Sequence, residues 1–130
     1  MNKLISMERS LLIGHIASMA FGLAGLLIVL PNADFIANLP EFGKTVFSWS
    51  MAGGGVMYML LGTATVALYA YRTLGIWHWL GFMIPAIALS LSSELLGTST
   101  GFPFGDYRYL SGLGYKISGL VPFTIPLSWF

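Results

Sequence analysis

The residues best suited to chemistry lie between Glu94 and Tyr109, where a carboxylate closes an apolar run. Asp106 and Arg108 supply the one close pair of opposite charges in this part of the sequence. Around them stand three glycines and four aromatic residues: Gly97, Gly101, Gly105, Phe102, Phe104, Tyr107 and Tyr109. A carboxyl group among aromatic rings could deliver a proton to an apolar molecule, so the functional hypotheses begin here.

Glu94 is the candidate general acid. On a helix, Glu94 shares a face with Ser90 and Ile87 and lies along an apolar wall with one hydroxyl group. Burial there disfavours the charged form of a carboxyl group and retains the proton that a general acid donates. An alternative interpretation places Glu94 at the lipid headgroup boundary, where a carboxylate near a helix end is less costly.

Asp106 is the candidate second carboxylate. Two carboxyl groups in different environments can divide acid and base roles, so Asp106 could polarise a water while Glu94 donates a proton. Alternatively, Asp106 forms a surface ion pair with Arg108 or Lys116. The aromatic residues at 102–115 also have two interpretations. They form an interfacial belt, or they line a slot that holds a flat apolar ligand and stabilises positive charge.

Composition places the chain in the membrane class. Its 130 residues are 56% hydrophobic and 8% charged, whereas soluble domains contain about 25% charged residues. The expected surroundings are therefore membrane lipid. A net charge of +1 argues against a nucleic-acid partner, and the absence of cysteine excludes disulfides and thiol catalysis. His15 and His78 lack the paired spacing of a metal centre, so no metal is expected.

The hydropathy pattern predicts an all-α fold, a polytopic transmembrane helical bundle that forms a single transmembrane domain over 1–130. Three full spans and the start of a fourth are predicted at 11–30, 46–71, 74–96 and 119–130. The first span is uncharged over about 30 Å, which matches a bilayer core. Its alternative, a secretory signal peptide, would have a shorter apolar core and a small-residue cleavage site. A short connection at 71–73 makes spans two and three antiparallel neighbours.

The last apolar segment, 119–130, is too short to cross a bilayer. We therefore expect a shortened form of a longer protein, or a membrane-protein partner or oligomer that supplies the missing spans. Gly14, Ser18 and Gly22 fall four residues apart on one face of the first span, which lets another helix approach closely. This stripe suits a second hypothesis, a small non-catalytic subunit packed in a larger and possibly pigment-binding membrane complex.

Three segments carry a family resemblance: Glu-Leu-Leu-Gly-Thr-Ser-Thr-Gly-Phe-Pro-Phe-Gly-Asp-Tyr-Arg-Tyr at 94–109, Leu-Gly-Tyr-Lys at 113–116, and Val-Pro-Phe-Thr-Ile-Pro-Leu-Ser-Trp at 121–129. They resemble the membrane carotenoid-biosynthesis family, which includes gamma-carotene 1'-hydroxylase and bisanhydrobacterioruberin hydratase. The resemblance implies hydration of the acyclic end-group C=C of a carotenoid, such as gamma-carotene or lycopene, without oxygen, metal or cofactor. It also implies an integral protein of a bacterial inner or photosynthetic membrane, with further spans in other members.

Such a hydration gives each candidate residue a hypothetical role. Glu94 protonates the alkene, Asp106 orients the water, and Tyr107 and Tyr109 hydrogen-bond that water or face the cation. The expected substrate-binding residues are Ser90, Gly97, Thr98, Gly101, Phe102, Phe104 and Gly105. The glycines among them would let the backbone approach a polyene closely. These roles follow from side-chain chemistry, and the resemblance itself assigns none of them.

Overall fold

Two long helices and a short, partly β-structured segment build the chain. A computed structural model describes residues 2–129. The elements are α1 (Asn2–Ala24) with a π-helical extension (Gly25–Val29), α2 (Ala33–Ala37), α3 (Glu41–Thr100), β1 (Lys116–Ile117), β2 (Val121–Pro122) and α4 (Thr124–Ser128). The two-residue strands β1 and β2 pair antiparallel, with Lys116 opposite Pro122. The predicted all-α class is confirmed.

Within the described residues, two helical stretches are long and apolar enough to cross a membrane: Asn2–Val29 and Glu41–Thr100. Many of their large apolar side chains point outward. Leu27 and Trp77, for example, have 72% and 81% of their surface exposed. Water would solvate such surfaces poorly, whereas lipid tails solvate them well. Length, composition and exposure therefore all fit membrane helices.

Gly75 interrupts α3. A straight helix of 60 residues would be about 90 Å long, three times the thickness of a bilayer core. At Gly75 the backbone takes φ 78° and ψ 165°, a region open essentially to glycine. The connection predicted at 71–73 is wrong, because the three residues there keep helical geometry and none favours a positive φ. Gly75 divides α3 into a first arm (41–74) and a second arm (76–100).

The two arms of α3 lie side by side. Val56 of the first arm has its Cγ2 3.3 Å from the position that a Cβ would take on Gly114, which also packs against Phe123. Ser90 of the second arm donates a 3.4 Å hydrogen bond to the carbonyl of Pro126. In a straight helix Val56 and Ser90 would stand roughly 50 Å apart. Because both contact the same short segment, the chain reverses direction at Gly75.

Helix α1 packs antiparallel on the first arm. Near one end Arg72 Nε donates to Glu8 Oε2 at 2.8 Å. About two helical turns further along α1, the ring of His15 stacks on Tyr58 at 4.4 Å between centroids, and its Nδ1 lies 3.0 Å from the Tyr58 carbonyl oxygen. A Cβ on Gly62 would stand 2.8 Å from that ring. The missing side chain at Gly62 is therefore what lets a histidine fit between the helices.

Reversing one charge of the Glu8–Arg72 pair should loosen α1 from the first arm. Arg72→Glu sets two carboxylates against each other, so we expect a lower midpoint of thermal unfolding in detergent, followed by circular dichroism. Exchanging the two residues, Glu8→Arg with Arg72→Glu, restores opposite charges and should recover most of the midpoint. Equally low midpoints for the single and the exchanged variants would show that the ion pair does not hold α1 in place.

The most deeply buried part of the described chain lies in its C-terminal segment. Val121 and Thr124 are 0% exposed, and Thr124 Oγ1 donates a 2.6 Å hydrogen bond to the Leu113 carbonyl. Of the apolar segment 119–130, predicted to begin a fourth span, residues 119–129 form a turn, β2 and the five-residue α4, and Phe130 lies outside the described residues. In this arrangement the segment covers the second arm of α3 around Ser90.

Candidate functional site

Glu94 is buried on the second arm of α3 with 5% of its surface exposed. Ser90, one turn earlier on the same face, is 4% exposed. The Ser90 hydroxyl donates to the carbonyls of Ile87 and Pro126 at 3.1 and 3.4 Å. Ser90 thereby ties α4 to the helix that carries Glu94, and its hydroxyl is engaged by backbone. The predicted helical face of Ser90 and Glu94 is therefore the face that the C-terminal segment covers.

Two phenols converge on one oxygen of Glu94. Tyr107 Oη and Tyr109 Oη donate to Glu94 Oε2 at 2.7 and 2.8 Å. The two phenol rings meet edge to face, with 5.8 Å between centroids. Two donors stabilise negative charge on Oε2 and offset the cost of burying a carboxyl group. Within the described residues both phenols reach Oε2, which leaves Oε1 open to another partner.

The end of α3 brings these tyrosines back over Glu94. Gly101 ends the helix in the left-handed conformation with φ 82°, and its N–H bonds to the Gly97 carbonyl at 2.9 Å. The Gly105 N–H then bonds to the Gly101 carbonyl at 2.6 Å. These successive turns reverse the chain within a few residues and return Tyr107 to the helix that it has just left.

Gly97 provides the space that Tyr107 occupies. A Cβ on Gly97 would lie 2.7 Å from Tyr107 Oη and 2.9 Å from Phe104 Cδ2, closer than nonbonded atoms approach. Gly97 is buried on the same helix, less than one turn after Glu94. This glycine therefore serves the packing of the aromatic rings against the helix.

An open, groove-like cavity of about 270 Å³ lies beside the carboxyl group. It is lined by Glu94, Phe104, Tyr107, Tyr109 and Trp129. Phe104 meets Tyr107 edge to face at 6.2 Å, and Phe104 and Trp129 are 53% and 56% exposed. The cavity therefore combines one carboxyl group and two phenols with an aromatic rim.

Sequence reasoning missed Trp129 as a lining residue. Trp129 follows α4 and is thirty-five positions from Glu94 in the chain. It belongs to the segment 121–129 that carries the family resemblance, which was the available signal. Only the packing of α4 on the second arm reveals that Trp129 lines the same cavity as the carboxyl group.

Asp106 is not brought to the cavity wall. Its side chain is exposed, and its Oδ1 lies 2.5 Å from the position of a Cβ on Gly101. Among residues 2–129 the salt bridge is the one between Arg72 and Glu8. The alternative prediction, an ion pair of Asp106 with Arg108 or Lys116, is therefore wrong for these residues. Lys116 instead donates to the Tyr109 carbonyl at 2.5 Å and fixes the backbone of that tyrosine.

The remaining predicted substrate-binding residues lie around the site without lining the cavity. Thr98 Oγ1 donates a 2.7 Å hydrogen bond to the backbone carbonyl of Glu94. Phe102 is 68% exposed, and Gly105 has open space where a side chain would stand. In the part of the chain that the structure describes, no three His, Cys, Asp or Glu side chains are grouped to hold a metal ion.

The phenols should titrate at unusually high pH. In the connection after α3, burial and then the bond to Glu94 raise the pKa of Tyr107 to about 12; the same causes raise the pKa of Tyr109. Below about pH 10, the ordinary pKa of tyrosine, Tyr107 is neutral in both the folded and the unfolded chain, and its contribution to the free energy of unfolding is fully present. As pH rises toward about 12, the unfolded chain loses this proton before the folded chain does, so the contribution fades. When phenolate absorbance is followed as pH is raised, the Tyr107→Phe variant should lack a component that titrates at about pH 12. Loss of a component that titrates at about pH 10 would contradict this prediction.

A family model described as "Carotenoid biosynthesis protein" matches residues 54–130, more than half of the chain. The matched region includes the five described residues that line the cavity, whereas α1 precedes it. No curated protein and no solved structure matches the chain.

Proposed function

Because this chain belongs to the carotenoid biosynthesis protein family, we propose that it hydrates the acyclic end-group C=C of a carotenoid, such as gamma-carotene or lycopene, to a tertiary alcohol. The family supplies the role in carotenoid biosynthesis. The observation that best supports hydration is the buried Glu94 carboxyl, whose Oε2 is engaged by two phenols at the wall of an aromatic cavity. This arrangement suits delivery of a proton to a hydrocarbon in a dry site.

Proton transfer is the first step of the proposed reaction. Glu94 donates its proton from Oε1 to the less substituted carbon of the terminal alkene, whose π electrons form the new C–H bond. The other alkene carbon becomes a tertiary carbocation and Glu94 becomes a carboxylate. The two phenols on Oε2 stabilise the negative charge that forms on Glu94. The faces of Phe104 and Trp129, which line the same cavity, stabilise the cation.

Addition of water completes the reaction. A water oxygen donates a lone pair to the tertiary carbon, and the added water then loses one proton to the Glu94 carboxylate. This regenerates the acid, so the sum is alkene plus water to tertiary alcohol. We assign the orientation of the incoming water to the phenol oxygens of Tyr107 and Tyr109, which line the cavity and can each accept a hydrogen bond from it, because Asp106 lies exposed outside the cavity wall. The proposal calls for no cofactor.

We also propose that the chain is an integral protein of a bacterial inner or photosynthetic membrane. In this arrangement Asn2–Val29 and the two arms of α3 form three full spans, because the reversal at Gly75 divides a helix too long for one crossing. The segment at 119–129 packs beside the last of them within a single transmembrane domain. Glu94 then lies near the end of a span, where a polyene from the bilayer and a water from the interface can meet.

Expression in a lycopene-producing bacterial host tests the function. We expect a new carotenoid heavier than lycopene by one water, formed without air, with its oxygen derived from isotopically labelled water. Host cells with an empty vector are the control. A stable membrane complex that contains the chain but yields no hydrated carotenoid would favour the non-catalytic subunit. Oxygen derived from labelled dioxygen would exclude hydration.

A further inference from the structure

Lys116 lies outside the cavity wall, but a single tyrosine connects it to the carboxyl group. Its Nζ donates a 2.5 Å hydrogen bond to the backbone carbonyl of Tyr109, and Tyr109 Oη donates to Glu94 Oε2 at 2.8 Å. The Lys116 side chain is half-buried. A hydrogen bond from an ammonium group is strong, and partial shielding from water strengthens it further.

The backbone that carries Lys116 is itself anchored. In β1, Lys116 lies opposite Pro122 of β2, and the Phe123 N–H bonds to the Tyr115 carbonyl at 2.8 Å. The chain then enters α4, which Ser90 ties to the second arm of α3. The lysine side chain therefore extends from a fixed point on the C-terminal segment.

The backbone of Tyr109, by contrast, has neither helix nor strand to hold it. Residues 107–110 lie in an irregular stretch of the connection after α3. Among the described residues, the Tyr109 carbonyl accepts its hydrogen bond from Lys116 and not from another backbone N–H. Lys116 therefore supplies the restraint that a hydrogen-bonded ladder supplies in regular structure.

The two phenols on Glu94 are held by different contacts. Tyr107 Oη lies 2.7 Å from the position of a Cβ on Gly97, and the Tyr107 ring also meets Phe104 edge to face. These contacts keep Tyr107 against the helix. Tyr109 meets the ring of Tyr107, but its main chain depends on Lys116. Loss of the lysine should therefore release one phenol and leave the other in place.

On the basis of the proposed function, we propose that Lys116 is a positioning residue that holds the Tyr109 phenol on Glu94 and thereby raises the rate of proton transfer. Without Lys116, one donor instead of two stabilises the carboxylate that forms when Glu94 gives up its proton. Binding of the substrate should change little, because Lys116 is not among the described residues that line the cavity.

Replacing the ammonium group tests this inference. Lys116→Met keeps an unbranched side chain and removes the donor. With lycopene in lipid vesicles, we expect kcat to fall roughly 10- to 100-fold, the value of one hydrogen bond to a charged group, with KM unchanged within about twofold. Lys44→Met is the matched control, because Lys44 lies exposed in the first turn of α3. The control should keep full activity.

Double variants show whether Lys116 acts through Tyr109. Adding Lys116→Met to Tyr109→Phe should change kcat by less than about threefold, whereas adding it to Tyr107→Phe should keep most of its effect. A fall of equal size in both backgrounds would overturn the inference, because Lys116 would then act without the Tyr109 phenol. A raised KM with unchanged kcat would also overturn it and assign Lys116 to substrate binding.

A titration separates this inference from the proposed function. Burial and the bond to Glu94 raise the pKa of Tyr109. The phenolate absorbance that Tyr109→Phe removes should therefore develop at high pH when Lys116 is present, and near the ordinary value of about 10 in the Lys116→Met background. Development over the same range in both backgrounds would overturn the inference. Absence of hydration by the unaltered protein would instead remove the proposed function, and the titration would still report whether Lys116 holds Tyr109.

Discussion

Glu94→Gln should abolish the hydrated carotenoid, with turnover lowered by about 10²–10⁴-fold, the usual contribution of general acid catalysis. The amide has no acidic proton to donate to an alkene. Its carbonyl oxygen can still accept the hydrogen bonds that Tyr107 and Tyr109 donate to Oε2, at 2.7 and 2.8 Å. The substitution therefore separates the loss of the acid from the loss of the local structure.

The measurement is the amount of hydroxylated carotenoid per folded protein in the lycopene-producing host. Glu41→Gln is the matched control, because Glu41 lies exposed in the first turn of α3, outside the cavity, and undergoes the same chemical change. The control should retain full conversion. If the Glu94→Gln protein converts carotenoid as well as the control does, Glu94 is not the acid and the proposed first step is wrong.

Gly97→Ala should lower turnover by about 10²-fold, the cost of displacing reacting groups by about an ångström. The added methyl group would stand 2.7 Å from Tyr107 Oη and 2.9 Å from Phe104 Cδ2, so both rings must move. Displacing Tyr107 breaks its bond to Glu94 and reshapes the cavity that the two rings line. The helix itself should persist, since alanine favours helix more than glycine does.

Gly53→Ala is the control for this substitution. Gly53 is also helical, and a Cβ there would have no atom within 4 Å. The control should keep full activity and an equal or higher unfolding midpoint, as measured by carotenoid conversion and circular dichroism. Full activity in Gly97→Ala would show that the close packing of Tyr107 on the helix is dispensable for the reaction.

Local chemistry made part of the site predictable. Glu94 and Ser90 are four residues apart, so helical periodicity places them on one face, and both are buried in the structure. Tyr107 and Tyr109 were candidates because a phenol can hydrogen-bond water or face a cation, and their hydroxyl groups meet at Glu94 in the structure. The catalytic roles of these residues are still predictions, but their proximity is observed.

Other features could not be located from the sequence. The chain contains sixteen glycines. In so apolar a sequence, no local signal distinguishes Gly75, where the chain reverses direction, from the glycines that only allow close helix packing. Asp106 was expected beside the reacting water as a second carboxylate. Its neighbours in the sequence gave no indication that the tight turn at Gly101 directs it to an exposed position.

The all-α class, the apolar helices and the family resemblance could be read from the amino-acid sequence, because they depend on composition, periodicity and short motifs that are local in the chain. Long-range packing was needed to show that Trp129 shares a cavity with Glu94 and that both phenols bond to the same carboxyl oxygen. Those contacts depend on how the turn after α3 and the packing of α4 fold the chain back on itself. No spacing between residues specifies such a return, since it is set by the balance of all the contacts that close it.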